Sequence, residues 1–290
     1  MPVLTLEQLV QYVQELPALP DVAVEVLKLT DDPEASARDV AGVISRDMSM
    51  TARVLKIANS AYYGMPRSVS TANEAVLILG MQSVRSLALA AGAYDTLRGA
   101  TPGYNLRAGE LWKHSISVAV GAQIIAKETK ATRPEQAFVA GLLHDVGKVI
   151  LSEQIQPQFQ AILALVELDG APFHEAERSI LGFDHAEVGA RVAERWNLPN
   201  PLCDAIGAHH NLDAAVEAPE LAAVTHLANW AAHANPDLLT QPEFMPTISP
   251  KALEIVGVDQ LTMDKFAETL ALQADKLGQM MEPVGGVRAA

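Results

Sequence analysis

The chain carries a single cysteine, Cys203, in 290 residues, which excludes an internal disulfide framework. A lone cysteine of this kind reads as a small buried hydrophobe. Basic residues are also scarce, 21 Lys and Arg against 35 Asp and Glu, for a formal net charge of −14. A surface of that sign repels phosphate backbones, and no local basic patch offsets it, so nucleic acid is not an expected partner. No apolar run reaches the ~18 residues a bilayer-crossing helix needs, so no membrane partner is expected either. The opening Met-Pro-Val-Leu-Thr lacks the basic block and following apolar block of a secretory leader, and a cytoplasmic location is expected. Strand alternation, Asn-Gly or Asp-Gly hairpin signals and internal repeats are absent as well. So is any Gly-rich phosphate cradle.

What the sequence does have is helical periodicity, at 49% hydrophobic content. Thr5–Gln8, Thr71–Glu74 and Thr132–Glu135 have capping-box spacing, the last with a proline in its first turn. Apolar stripes at 3.6-residue spacing predict helices over Ser49–Tyr62, Glu74–Ala91, Arg107–Thr129 and Thr262–Met281, plus one built on Leu6, Leu9, Val13 and Leu16. The expected fold is all-α. The loop Arg98–Gly103 suggests a boundary between an N-terminal helical bundle (residues 1–100) and a second helical lobe (104–235). A proline-rich connector and one closing amphipathic helix fill 236–290. Trp112, Trp196 and Trp230 read as core residues between helices. Asn59, Ser60, Tyr62 and Tyr63 are either a partner surface or a capped helix end with both rings packed on the body.

The chemistry gathers in the second lobe, where all eight histidines fall. Ala140-Gly-Leu-Leu-His-Asp-Val-Gly-Lys148 sets an imidazole beside a carboxylate, with a lysine one turn later. Glu110 and His114 share a helical face at i, i+4. His185 opens a helix, His209 and His210 close one, and His226 and Asn229 sit a turn apart on another. Antiparallel helices that each offer a nitrogen or oxygen donor can build a metal site in a bundle core.

These residues carry a resemblance. His114, the His144-Asp145-Val-Gly-Lys148 motif, His185 with Gly189, and His209-His210 are similar to the ligand pattern of the HD phosphohydrolase superfamily, in particular its bimetallic branch. Leu16-Pro-Ala-Leu-Pro20, Ile44–Asp47, Ala58–Gly64, Ala75–Gly80 and Trp112–Ser115 resemble the HDOD family, a relative regarded as a signalling module. The resemblance spans roughly residues 15–235. It implies a two-lobed all-helical fold, with one metal on His114, His144 and Asp145, joined weakly by Glu110 and Asn229. A second metal would sit on Asp145, His185, His209 and His210. Iron, manganese or zinc would each suit such a set.

Two departures bear on catalysis. Catalytic HD enzymes place an aspartate where this chain has Asn229, and Asn-Leu-Asp follows His210 where cyclic-dinucleotide phosphodiesterases carry Gly-Tyr-Pro. The expected function is therefore regulatory, through contact in trans with a kinase, response regulator or cyclase, and self-association is left open. The alternative is a metal-dependent phosphohydrolase in which Asp145 and Lys148 are catalytic.

Overall fold

The computed structural model describes residues 18–155, 158–234, 247–273 and 276, and these are helical with no strand among them. The Thr5–Gln8 box and the first leucine stripe lie outside the described residues, as does most of the proline-rich connector. Two compact units emerge, Leu19–Asp95 and Thr96–Ala271.

The first unit opens with α1 (Asp21–Asp31), α2 (Ala37–Ile44) and α3 (Met48–Ala58). It continues with α4 (Ala72–Leu79) and α5 (Met81–Leu97). Side chains fix the helix starts by satisfying amide groups that have no intrahelical acceptor. Ser36 and Asp39 form a reciprocal capping box at α2, and the Asp47 carboxylate accepts from Met50 N–H at α3. Thr71 caps α4 through Glu74 N–H, but the Glu74 carboxylate accepts from Ser70 and not from Thr71, so that box is only half closed. The single helix expected over Glu74–Ala91 is two, because Gly80 turns the chain at φ +83°, which only glycine tolerates well. Arg53 ties α3 to α5, donating to Ala91 O at 3.0 Å and to Asp95 at 2.7 Å.

Asn59 ends α3 and holds the loop after it. Its amide donates to Leu55 O and Val69 O, both at 2.8 Å, and its carbonyl accepts from Val69 N–H at 2.7 Å. The residue is thus committed to structure. Ser60 is buried, and the Tyr62 and Tyr63 rings meet edge to face with centroids 5.1 Å apart.

The second unit is built around α6 (Glu110–Thr129), buried almost without interruption from Leu111 to Ala126. Lys130, in a left-handed conformation, reverses the chain into α7 (Pro134–Leu143). The expected Thr132 cap is not made: Arg133 takes the N-cap position without a side-chain bond, and Pro134 opens the helix. α6 and α7 cross backbone to backbone. A Cβ on Gly141 would come within 2.9 Å of Ala119 Cα, so glycine sets that spacing. Next come α8 (Gly147–Ile155), α9 (Phe159–Asp169), α10 (Phe173–Leu181) and α11 (His185–Arg195). Then α12 (Asn200–Ala208) leads to α13 (Pro219–His233), which packs against α6 and α7.

The closing region holds two helices where one was expected, α14 (Pro250–Val256), capped by Ser249, and α15 (Gln260–Leu272). α15 buries Met263 and Leu270, and the Leu270 side chain lies against α6 at Gly121. Phe266 is half-buried, while Leu277 and Met281 lie outside the described residues. Trp112, Trp196 and Cys203 are buried as expected, but Trp230 is only half-buried, because it faces away from the α6 side of α13 that carries Ala228.

Replacing Asn59 by alanine strands the Val69 amide and carbonyl in a part-buried loop. We expect a loss of about 1–3 kcal/mol in urea unfolding. An unchanged midpoint would show that other contacts hold the loop.

Candidate metal centre

Five segments of the second unit bring the polar residues together. His144 is the residue that ends α7, Asp145 lies in the following turn, and Lys148 is in the first turn of α8. The doublet therefore sits between two helices and not within one. Gly147 makes this possible: a Cβ there would stand 2.0 Å from His185 O and 2.6 Å from Gly189 N. The turn after Asp145 thus rests directly on the first turn of α11, and that contact delivers His185 to Asp145. Asp184 caps α11 through Glu187 N–H, fixing His185 as its first residue. His209 ends α12, with His210 next, and His114 projects from α6.

Two groups of donors result, His114–His144–Asp145 and His185–His209–His210, each with ligand atoms within 4.8 Å of one another. Asp145 belongs to the first and reaches toward the second through His185. Its Oδ2 lies 3.5 Å from His114 Nε2 and 3.3 Å from His144 Nε2, while Oδ1 lies 3.2 Å from His185 Nε2. The spacing is close, but the angles are not those of hydrogen bonds: His114 Nε2, His144 Nε2, His209 Nε2 and Asp145 Oδ1 are buried with no hydrogen-bond partner. The imidazoles are oriented from behind. His144 Nδ1 meets Gly141 O at 2.8 Å, His209 Nδ1 meets Ile206 O at 2.7 Å, and His185 Nδ1 meets Glu177 at 2.6 Å. A proton held on Nδ1 leaves the Nε2 lone pair facing the cluster, which is how proteins prepare histidine for a metal. These residues fit a divalent ion.

Electrostatics agree. Burial alone would push the Asp145 carboxyl up, but His144, Lys148 and His185 outweigh it and hold the group well below the usual carboxylate range. For His185 burial opposes the charged ring, and Glu177 with Asp145 raises it to about 9. Burial is the largest influence on His114, His209 and His210, keeping each well below its ordinary value. Lys148 is not a solvated residue near a helix end: its ammonium donates to Asp145 Oδ2 at 2.7 Å and lies 5.7 Å from the centre of the Tyr104 ring.

Asn229 is on α13, with a buried Oδ1 that has no partner. Glu110 is not brought into the cluster, because Arg107 takes both its carboxylate oxygens, Nε on one and the backbone N–H on the other. His226 is committed to structure, its Nδ1 on His209 O and its Nε2 accepting from Ser249 N–H. Sequence reading passed over four residues. Glu177 orients His185, and the Tyr104 hydroxyl donates to Glu177 at 2.5 Å. His174 stacks on His210 with centroids 4.1 Å apart, and His233 lies 4.7 Å from His114. His233 was legible as the next turn after Asn229, and His174 with Glu177 as an i, i+3 pair; nothing in the sequence marks Tyr104.

The HDOD domain family matches residues 16–212. The chain belongs to the HDOD family. Among solved structures, the chain is similar to a protein of Shewanella amazonensis SB2B provisionally named a phosphohydrolase. Identity is 28% and TM-score 0.73, covering 96% of this chain and 98% of that one. An HDOD domain protein of unknown function from Geobacter sulfurreducens aligns at 26% identity and TM-score 0.69, over 94% and 99% of the two chains. An uncharacterized protein of Treponema pallidum (strain Nichols) is 28% identical over 206 residues, 71% of this chain but only 39% of its own length. The HDOD match ends before α13, so Asn229 and His233 stand on their geometry alone. No helix among the described residues is long and apolar enough to cross a membrane.

Two expectations follow. Gly147→Ala drives a methyl into backbone, which no side-chain rearrangement relieves, and should cost about 3 kcal/mol or more in thermal or urea unfolding. Metal-free protein should be most stable near pH 6.5. His185, raised to about 9, contributes stability that is complete below its ordinary 6.5 and lost as pH rises to 9. His174 and His233, lowered first by burial to about 4 and about 3, favour the unfolded chain as pH falls below 6.5. Urea midpoints measured from pH 4 to 9.5 check both limbs; a midpoint flat from pH 6.5 to 9.5 would contradict the His185 charge.

Proposed function

We propose that this HDOD chain is a regulatory signalling module. It acts in trans on a kinase, response regulator or cyclase, and its second unit holds one or two divalent ions of iron, manganese or zinc. The observation that carries this reading is enclosure. His144 and His209 are 0% exposed, Asp145 1% and His185 2%, so the donors are arranged to hold an ion while offering little surface to a phosphoester. A bound ion would supply Lewis acidity toward a phosphoryl oxygen. The chain's own residues instead stiffen the lobe: Asp145 spans both groups, Glu177 and two backbone carbonyls set the imidazoles, and Lys148 balances the carboxylate charge.

A partner surface is supported in the first unit, where Leu77 and Ile78 on α4 and Met48 on α3 leave large apolar side chains in water. A second reading, a phosphohydrolase acting on a nucleotide-like phosphoester, is favoured by two adjacent three-donor groups and by Lys148 beside Asp145.

Protein purified without chelator or nickel resin, from cells supplied with all three metals, should carry near-stoichiometric ion that the double change His209→Ala and His210→Ala removes. It should leave bis(p-nitrophenyl) phosphate intact. Turnover of that diester, abolished by Asp145→Asn, would overturn the signalling reading in favour of the hydrolase.

A further inference from the structure

α13 brings another imidazole to the first donor group. His233 lies four residues beyond Asn229, one turn on along the same face. Its ring centroid is 4.7 Å from that of His114. Its Nδ1 is buried without a hydrogen-bond partner, and so are His114 Nε2, His144 Nε2 and Asn229 Oδ1. Buried polar atoms are nearly always paired. Four unpaired ones on neighbouring helices, three of them imidazole nitrogens, point to a shared cation toward which the His233 ring would turn, since it stands outside the group whose ligand atoms lie within 4.8 Å of one another. His226, the other histidine on α13, has both ring nitrogens engaged and is not available to it.

We propose that His233 is a ligand of the ion held by His114, His144 and Asp145, through Nδ1. It supplies the strong donor that Asn229 does not. The inference rests on the metal reading above and deepens it, because it assigns the first site three imidazoles and one carboxylate. Imidazole-rich sets suit zinc, iron and cobalt, whereas manganese and magnesium prefer carboxylate and carbonyl oxygen. The first site therefore selects the former class.

The test uses full-length protein stripped by chelator and titrated with Co(II), then separately with Mn(II), reading bound ion by dialysis and elemental analysis and ligand change by visible absorption. Wild type should bind two Co(II) per chain and little Mn(II). His233→Ala should keep the ion on His185, His209 and His210 and weaken the other by about 10- to 100-fold, with loss of its absorption band. His233→Asp should restore a second ion and shift preference toward Mn(II), which separates loss of a ligand from loss of fold. Two Co(II) bound by His233→Ala with unchanged affinity and spectrum would overturn the assignment and leave the metal reading intact. Loss of both ions in His233→Ala without rescue by His233→Asp would mark a packing role and also overturn it. A wild type that binds no Co(II) would overturn both readings.

Discussion

A carboxylate moved out of water loses several kcal/mol of hydration unless charged or hydrogen-bonding groups meet it. Asp145, 1% exposed, is met on Oδ2 by the Lys148 ammonium, and His185 Nε2 stands 3.2 Å from Oδ1 with Glu177 on the other side of its ring. Much of the second unit serves that arrangement. Gly147 removes a side chain so that α11 can approach, Asp184 fixes where α11 begins, and Tyr104 takes the remaining oxygen of Glu177. The donors converge because one buried negative charge needs them, and the same convergence suits a divalent cation.

That double use explains how a polar core persists in an otherwise apolar helical lobe. A purely structural network would be expected to close its hydrogen bonds. At His144 and His209 the back of each imidazole is bonded to a backbone carbonyl and the front is not, an asymmetry that packing alone does not require. The first group carries Asn229, a neutral amide with an unpartnered buried oxygen, on the helix beside His114.

Much of this was legible in the sequence where local chemistry decides. The helix of Glu110–Thr129, the helix opened by His185 and the close of α12 at His209 follow from periodicity and capping. The residues that converge around Asp145 could also be picked out, because His-Asp and His-His doublets stand out against a helical background. Side-chain geometry and backbone conformation were not legible. Glu110 looked like a ligand by its spacing from His114, and Arg107, three residues back, claims it through geometry that spacing does not encode. Gly80 looked like an interior residue of one helix until its positive φ split α4 from α5. Tyr104 acts on Glu177 across 73 residues of sequence separation, and no local pattern marks it.

The short helical turn Pro102–Tyr104 has a mechanical consequence. Gly103 N–H is anchored on Ser152 of α8 and Tyr104 on Glu177 of α10, so one turn of chain clamps the helix that follows Asp145 to the helix that orients His185. Sliding α8 past α10 would have to break one of these bonds or carry the turn along with it. The ring of Tyr104 also stands near Lys148, so the same movement would change the ammonium's surroundings. The turn works as a rivet, and a torque applied to it would reach the carboxylate and the histidine together.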